Sequence, residues 1–295
     1  MTKKTVIKPE ISQKFQEFLK NERILFFSAP CGFGKTAVAQ ALLEGRRVWK
    51  LEGESARGAD LETKKDWDIL LMEDFQLFQE EEDQQALCAL IRRSPDKRFV
   101  ILSRGSPPGC LMAFQYAGLM TVIGPKDLLF DREDIRQLFD ASGLPVTDGE
   151  IAGILKESIG YPLGVAITAQ NMSSGARFSQ EIVGRSYQEV YRYFETAIYQ
   201  RLDLPYRRFL LELSPFESFN LEMARMVSGN AHAGEMLDWL QRNTSMLQYD
   251  GVLHFRFWEQ FRPFLLWEMG REYPPERKRA LMVRVHIPPF QSSML

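Results

Sequence analysis

The sequence predicts an α/β fold, a parallel β-sheet with helices on both faces, followed by a small helical segment and a winged-helix domain. Over the first ~125 residues, five short runs that are apolar on both faces alternate with helical stretches, the signature of strands covered on both sides. From Phe130 onward the pattern turns helical. Further on, three short helices precede two β-rich segments joined at Asp250 and Gly251, the order of a winged helix.

The elements follow in chain order. Ile11, Phe15, Phe18 and Leu19 recur at helical spacing and predict an amphipathic helix ending near Asn21. RILFFS is too short and too aromatic for a free helix and reads as a buried strand. After a glycine loop, residues 36–43 are rich in Ala and Leu and suit a helix. RVWKL (47–51), WDILLME (67–73), RFVILS (98–103) and LMTVIG (119–124) are the remaining strands, with a charged helical stretch at 80–93. Asp131 is placed to cap the next helix, and Thr147 with Glu150 spells a capping box for a helix running towards Ile159. Gly160-Tyr161-Pro162-Leu163-Gly164 then interrupts. A long helix at 184–199 carries Tyr187, Val190, Tyr191, Phe194 and Ile198 on one side, and shorter ones follow near 205–213, 220–228 and 233–242. SMLQY and VLHFRF flank Asp250-Gly251, which predicts a tight hairpin with both turn residues at positive φ. The end of the sequence begins as a basic helix and loses periodicity among Pro, Ser and Met.

Composition narrows the classes of function. A chain of 295 residues, 45% of them hydrophobic, is long enough for about two domains. With 37 basic and 39 acidic residues the net charge is -2, which excludes an overall positive field drawing the chain onto nucleic acid. Cys31, Cys88 and Cys110 show neither paired nor metal-ligand spacing, as expected of a reducing compartment. Cys31 reads as a small filler or as an oxidisable thiol. The N-terminus has no apolar targeting core, and no apolar run approaches the ~20 residues a bilayer span needs, so a cytoplasmic protein without membrane contact is expected. His232, His254 and His286 have no ligand spacing and no partner acid.

Ala29-Pro30-Cys31-Gly32-Phe33-Gly34-Lys35-Thr36 follows the first strand and opens a helix. This is the context of a phosphate-binding P-loop, in which backbone N–H groups and a helix N-terminus face phosphate oxygens, a lysine bridges the outer phosphates and a hydroxyl meets Mg²⁺. Gly32, Phe33, Gly34, Lys35, Thr36 and Ala37 are the candidate nucleotide contacts. The bland alternative is a glycine turn with a chance lysine. Glu73 and Asp74 end an apolar strand, where carboxylates reach the loop's Mg²⁺ and orient an attacking water; a strand merely ending in polar residues gives the same pattern. Arg104, at the exit of the neighbouring strand, is a candidate γ-phosphate sensor or an exposed loop arginine. Pro162 either packs on a purine or simply breaks a helix. Tyr187, Tyr191, Phe194, Phe209, Phe257, Trp258, Phe261 and Phe264, with Arg207, Arg208, Arg256 and Arg262, fit a domain core better than a base-stacking platform.

Together these features resemble the signal-transduction NTPases of the STAND class, specifically the AAA-like ATP-binding core of MalT-like, LuxR-type bacterial transcriptional regulators. SAPCGFGKT is similar to the family's A-P-A-G-x-G-K-T loop, LLMEDFQLF to its acidic strand end, RFVILSRGSPPG to its Ser-Arg and Pro-Pro segment, and GYPLGV to its Gly-Trp-Pro-x-Gly motif. The resemblance runs from about residue 8 to about 270. It implies an ADP-bound resting state, ATP binding on induction, slow hydrolysis, nucleotide-dependent self-association, and DNA contact only through a separate helix-turn-helix. Carried over by position, Lys35, Glu73, Asp74 and Arg104 are the catalytic candidates, Thr36, Glu73 and Asp74 the Mg²⁺ set, and Pro162 the adenine contact. Three departures stand out. Glu73 replaces the usual Asp, the stretch between Leu51 and Trp67 is short by about one helix, and Trp258 stands where the family has a histidine near the resting nucleotide. The repeat sensor and the DNA-binding module are not found after residue 270, so a truncated regulator or a stand-alone core is expected. The implied division is 1–126 P-loop NTPase core, 127–183 helical lid segment with the GxP motif, 184–272 winged helix and 273–295 basic, disordered or truncated tail. Two other classes stay open: a metabolic P-loop phosphotransferase, and a non-catalytic nucleotide-binding interaction module.

Overall fold

The computed structural model describes residues 5–62, 66–173, 175–244 and 246–286. It separates into two compact units, one running to Val190 and including Arg242–Ser245, the other formed by Tyr191–Gln241 and the chain from Met246.

The first unit is built on β1 (Ile24–Ser28), β2 (Val48–Glu52), β3 (Ile69–Glu73), β4 (Arg98–Ser103) and β5 (Met120–Ile123). They form one parallel sheet in the order β2-β3-β4-β1-β5. Each predicted strand is present. Ile24 and Phe26 of β1, Leu70 and Met72 of β3, and Phe99 and Ile101 of β4 share one buried cluster with the Trp49 and Trp67 rings. The alternate residues Leu25, Phe27, Leu71, Val100 and Leu102 are buried as well. Burial of both strand faces is why these runs carry no polar alternation. Helix α3 (Glu81–Arg93) and helix α4 (Gly109–Tyr116) supply Leu87, Ile91, Leu111 and Phe114 to the first cluster. Helix α1 (Pro9–Asn21) packs on β1 and β5, and α2 (Lys35–Leu42) on β4. Between β2 and β3 the described residues hold only a 3-10 turn at Gly58–Glu62, and residues 63–65 of the shortened stretch lie outside the described ones.

A helical segment follows, comprising α5 (Pro125–Leu128), α6 (Arg132–Ala141), α7 (Asp148–Ser158), α8 (Pro162–Met172) and the start of α9 (Gln180–Ala197). Ile135, Phe139, Ile151, Ile154, Val165 and Ile182 make its core. Both predicted caps are formed. The Asp131 carboxylate accepts from the N–H groups of Glu133 and Asp134, and the Thr147–Glu150 box closes reciprocally. Helix α9 begins four residues before the predicted position, because the Ser179 hydroxyl accepts from the Ile182 N–H and nucleates the helix ahead of Gly184.

The second unit holds α10 (Leu204–Leu213), α11 (Leu221–Ser228), most of α12 (Ala233–Thr244), the hairpin β6 (Leu247–Tyr249) and β7 (Phe255–Phe257), α13 (Phe261–Glu272) and α14 (Pro275–His286). Residues 287–295 of the predicted tail lie outside the described ones. The hairpin differs from the two-residue turn the sequence suggests. Tyr249 pairs with Phe255, leaving a five-residue loop in which only Gly251 takes positive φ. The Asp250 carboxylate accepts from the N–H groups of Val252, Leu253 and His254, and so organises a wider turn than Asp-Gly alone. Phe194, Phe209, Phe257, Phe261 and Phe264 are buried. Arg207 and Arg262 donate to the backbone carbonyls of Leu202, Gln200, Ser214 and Pro215. These aromatics are a core, and these two arginines tie loops to it.

Candidate functional site

The exits of β1, β3 and β4 converge with the start of α8. The exit of β1 is tied to that of β4: the Ala29 N–H donates to the Ser103 carbonyl at 3.3 Å and the Ser28 hydroxyl to the Gly105 carbonyl at 3.1 Å. The loop then turns through Gly32 at φ +76° and Gly34 at φ +78°, conformations a side chain would strain. Helix α2 starts immediately at Lys35, which leaves the N–H groups of its first turn without intrahelical partners. Thr36 and Ala37 are exposed in that turn, while the Phe33 side chain is buried.

Lys35 turns back over the loop, its ammonium donating to the carbonyls of Ala29 at 2.7 Å and Pro30 at 2.9 Å. The side chain as a whole is half-buried but its charged end is enclosed. Burial lowers its pKa from 10.5 to about 8; Cys31 and Asp74 act against that shift and Arg104 adds to it. Lys35, Asp74 and Arg104 therefore share one electrostatic field.

At the exit of β3, Glu73 is 9% exposed. One carboxylate oxygen pairs with Lys50 Nζ at 3.4 Å, and the other, Oε1, is buried without a hydrogen-bond partner among the described residues. Asp74 sits in the left-handed region at φ +47°. Gly53 makes room for that turn: its N–H donates to the Glu73 carbonyl at 2.8 Å, and a Cβ there would lie 2.4 Å from the Asp74 carbonyl oxygen. Arg104 Nη2 lies 3.5 Å from Asp74 Oδ1. Gln76 bridges the two, donating from Nε2 to Asp74 Oδ1 at 2.8 Å and accepting the Arg104 backbone N–H at 2.9 Å.

Pro162 is buried at the first position of α8, between two residues that reach the glycine loop. The next N–H, of Leu163, donates to the Gly32 carbonyl at 3.1 Å. Tyr161 donates its hydroxyl to the Cys31 carbonyl at 3.0 Å, and its ring meets Phe33 edge-on at 5.3 Å. A Cβ on Gly32 would fall 1.8 Å from the Tyr161 oxygen. The predicted residues are thus brought together, and Gly53, Gln76 and Tyr161 join them unannounced. Tyr161 alone had a usable signal, an aromatic between a glycine and a proline.

Among the described residues no group of three or more His, Cys, Asp or Glu side chains forms a self-contained metal cage. The orphaned Glu73 oxygen, the Asp74 carboxylate and the exposed Thr36 hydroxyl are hard oxygen donors of the kind Mg²⁺ takes alongside water and phosphate.

A parallel sheet with a glycine loop and helix after one strand and acids at the end of another defines a P-loop NTPase fold. Solved structures agree. The Walker-type ATPase PABY2304 of Pyrococcus abyssi superposes with a TM-score of 0.66 at 13% identity, covering 88% of this chain and 96% of that one. A mutant RuvB of Thermotoga maritima superposes with a TM-score of 0.51 at 14% identity, covering 91% and 97%. Residues 195–277 match the MalT winged helix domain. The HTH-type transcriptional regulator MalT of Yersinia enterocolitica is 23% identical across 71% of this chain and 25% of its own length. The chain accordingly carries a MalT-like P-loop NTPase core with a MalT-type winged helix, and spans about a quarter of the length of the curated relatives it matches.

Proposed function

We propose that this chain is the nucleotide-binding core of a MalT-type transcriptional regulator, an ATP/ADP switch with slow ATP hydrolysis. The observation that carries the reading is Lys35, whose ammonium is turned onto the loop's own carbonyls and whose pKa is lowered by burial. A phosphate chain would replace those weak acceptors with full charges. In this reading the N–H groups of Gly32, Phe33, Gly34, Lys35, Thr36 and Ala37 cradle the phosphates, and Pro162 packs on the adenine. Thr36, Glu73 and Asp74 would hold Mg²⁺. When bound, Mg²⁺ neutralises charge on the outer phosphates. Arg104 reads the γ-phosphate by exchanging Asp74 for it. The resting contacts of Asp74 with Gln76 and Arg104 support slow turnover, since that carboxylate would orient a water only once those pairs open.

The same pairs favour one second reading, a nucleotide-binding module without turnover. In both, the functional division is core 1–126, helical lid segment 127–183, winged helix 184–272 and tail 273–295, and exchange of ADP for ATP drives self-association. DNA contact would belong to a module outside this sequence. No helix among the described residues is long and apolar enough to cross a membrane, and a cytoplasmic location is part of the proposal.

Calorimetric titration of ATP and ADP into the wild type and Lys35→Ala tests the site. We expect a loss of at least about tenfold, from a charge-assisted phosphate contact of roughly 1.5–3 kcal/mol. Equal affinities would overturn the assignment. Phosphate release under saturating ATP separates the two readings, and the size of the particle with ADP against a non-hydrolysable ATP analogue tests the switch.

A further inference from the structure

Cys88 and Cys110 are separated by 22 positions yet meet in the fold. Cys88 lies on the buried side of α3, and Cys110 is the second residue of α4. The Cys88 thiol donates to the Cys110 carbonyl at 3.5 Å, which seats its sulfur against the Cys110 backbone, and the Cys110 thiol reaches Gln84 Oε1 at 3.6 Å. Cys110 is partly open to solvent, whereas Cys88 is 3% exposed and seated among Leu87, Ile91 and Leu111. The pair is chemically uneven. The neighbouring Cys88 thiol lowers the Cys110 pKa, as do the N–H groups of Cys110 and Leu111 at the start of α4 and the Arg92 guanidinium, while burial opposes them. Cys88 is pushed up, first by the neighbouring Cys110 thiol and then by burial.

We propose that Cys88 and Cys110 form a redox-active dithiol that a hydroperoxide oxidises to a disulfide. Cys110 is the attacking sulfur. Its thiolate attacks the distal peroxide oxygen, the S–O bond forms as the O–O bond breaks, and the departing alkoxide or hydroxide takes a proton. The product is a sulfenic acid. Cys88 then attacks that sulfur, the S–S bond forms, the S–O bond breaks, and the hydroxide leaves as water with the Cys88 proton. Two thiols and one hydroperoxide give one disulfide, one alcohol or water, and one water. The bond ties α3 to the first turn of α4, at the end of the loop that opens with Arg104. Cys31, a buried free cysteine in the glycine loop, serves as the internal control.

The test uses the full chain, reduced, treated with a modest excess of hydrogen peroxide, quenched with N-ethylmaleimide in urea and digested without reductant. The expected product is a Cys88–Cys110 cross-linked peptide lighter by two hydrogens, with Cys31 alkylated. Alkylation of both Cys88 and Cys110, a terminal sulfinic acid on Cys110, or a cross-link through Cys31 would overturn the proposal. Repeating the treatment on Cys88→Ala with dimedone present assigns the order of attack. Cys110 should then carry the dimedone adduct that the wild type does not accumulate, and an unmodified Cys110 would refute its role as the nucleophile. The decisive measurement is made on the wild type, so a variant that fails to fold does not remove it.

Discussion

Replacing Lys35 by Met should remove a dependence of stability on pH that the wild type shows above neutrality. The folded Lys35 has its pKa lowered from 10.5 to about 8 by burial. Between those two values the unfolded chain keeps the proton that the folded chain has lost. The unfolded state then binds more protons, and stability rises with pH across the window. At ~1.4 kcal/mol per pKa unit the full gain is about 3 kcal/mol. Lys35→Met has no such titration, so the wild type should gain about 3 kcal/mol relative to it between pH 7.5 and 10.5. Titrations common to both proteins, including those of Tyr199 and Tyr273, cancel in the difference. Urea unfolding curves read by circular dichroism at four pH values supply the numbers. Parallel pH profiles would refute the idea that the ammonium is poorly solvated by the carbonyls of Ala29 and Pro30. If ADP occupies the loop, saturating ADP should flatten the wild-type slope, because nearby phosphate raises the folded pKa.

Gly32→Ala should destabilise the first unit by roughly 2–3 kcal/mol, combining about 1–2 for a left-handed alanine with about 1 for the displaced Tyr161 hydroxyl bond; a urea midpoint unchanged at constant slope would mean that Tyr161 does not dock on the loop. Tyr161→Phe tests the hydroxyl alone, with an expected loss of about 1 kcal/mol in the same assay. Asp131→Ala removes the cap of α6 and should cost about 1 kcal/mol, read by thermal unfolding, whereas Asp131→Asn should retain most of it.

What was legible in the sequence was what is local. The strands β1, β3 and β4 declare themselves because each is buried on two faces, and Asp131 and Thr147 declare their helices because a cap acts within three residues. The glycine loop is legible for the same reason, since Gly32 and Gly34 turn a continuous backbone into the start of α2. Contacts across the chain were not legible. Nothing near residue 161 announces that a tyrosine hydroxyl will reach the Cys31 carbonyl, and nothing near Gly53 that its missing side chain admits the Asp74 turn. Gln76 reads as a polar residue after an aromatic, and only the β3–β4 pairing makes it the bridge between Asp74 and Arg104. The hairpin misled because Asp-Gly favours a two-residue turn, and the Asp250 carboxylate, by capturing three N–H groups, stabilised a five-residue loop instead.

The strand order also governs how the chain is made. β1 is made before the other four strands of its sheet and occupies an interior place in it, yet Ile24 pairs with Phe99 and Met120, about 75 and about 96 residues later. At ribosomal rates of ~5–20 residues per second, an apolar strand with two open edges waits roughly 4–15 s for its first neighbour. The phosphate loop cannot set before then, since its strand is anchored to Ser103 and Gly105. A nascent chain ending before β4 should therefore bind chaperones and be sensitive to protease around residues 24–34. Ligand competence should arrive abruptly, once β4 has left the ribosome.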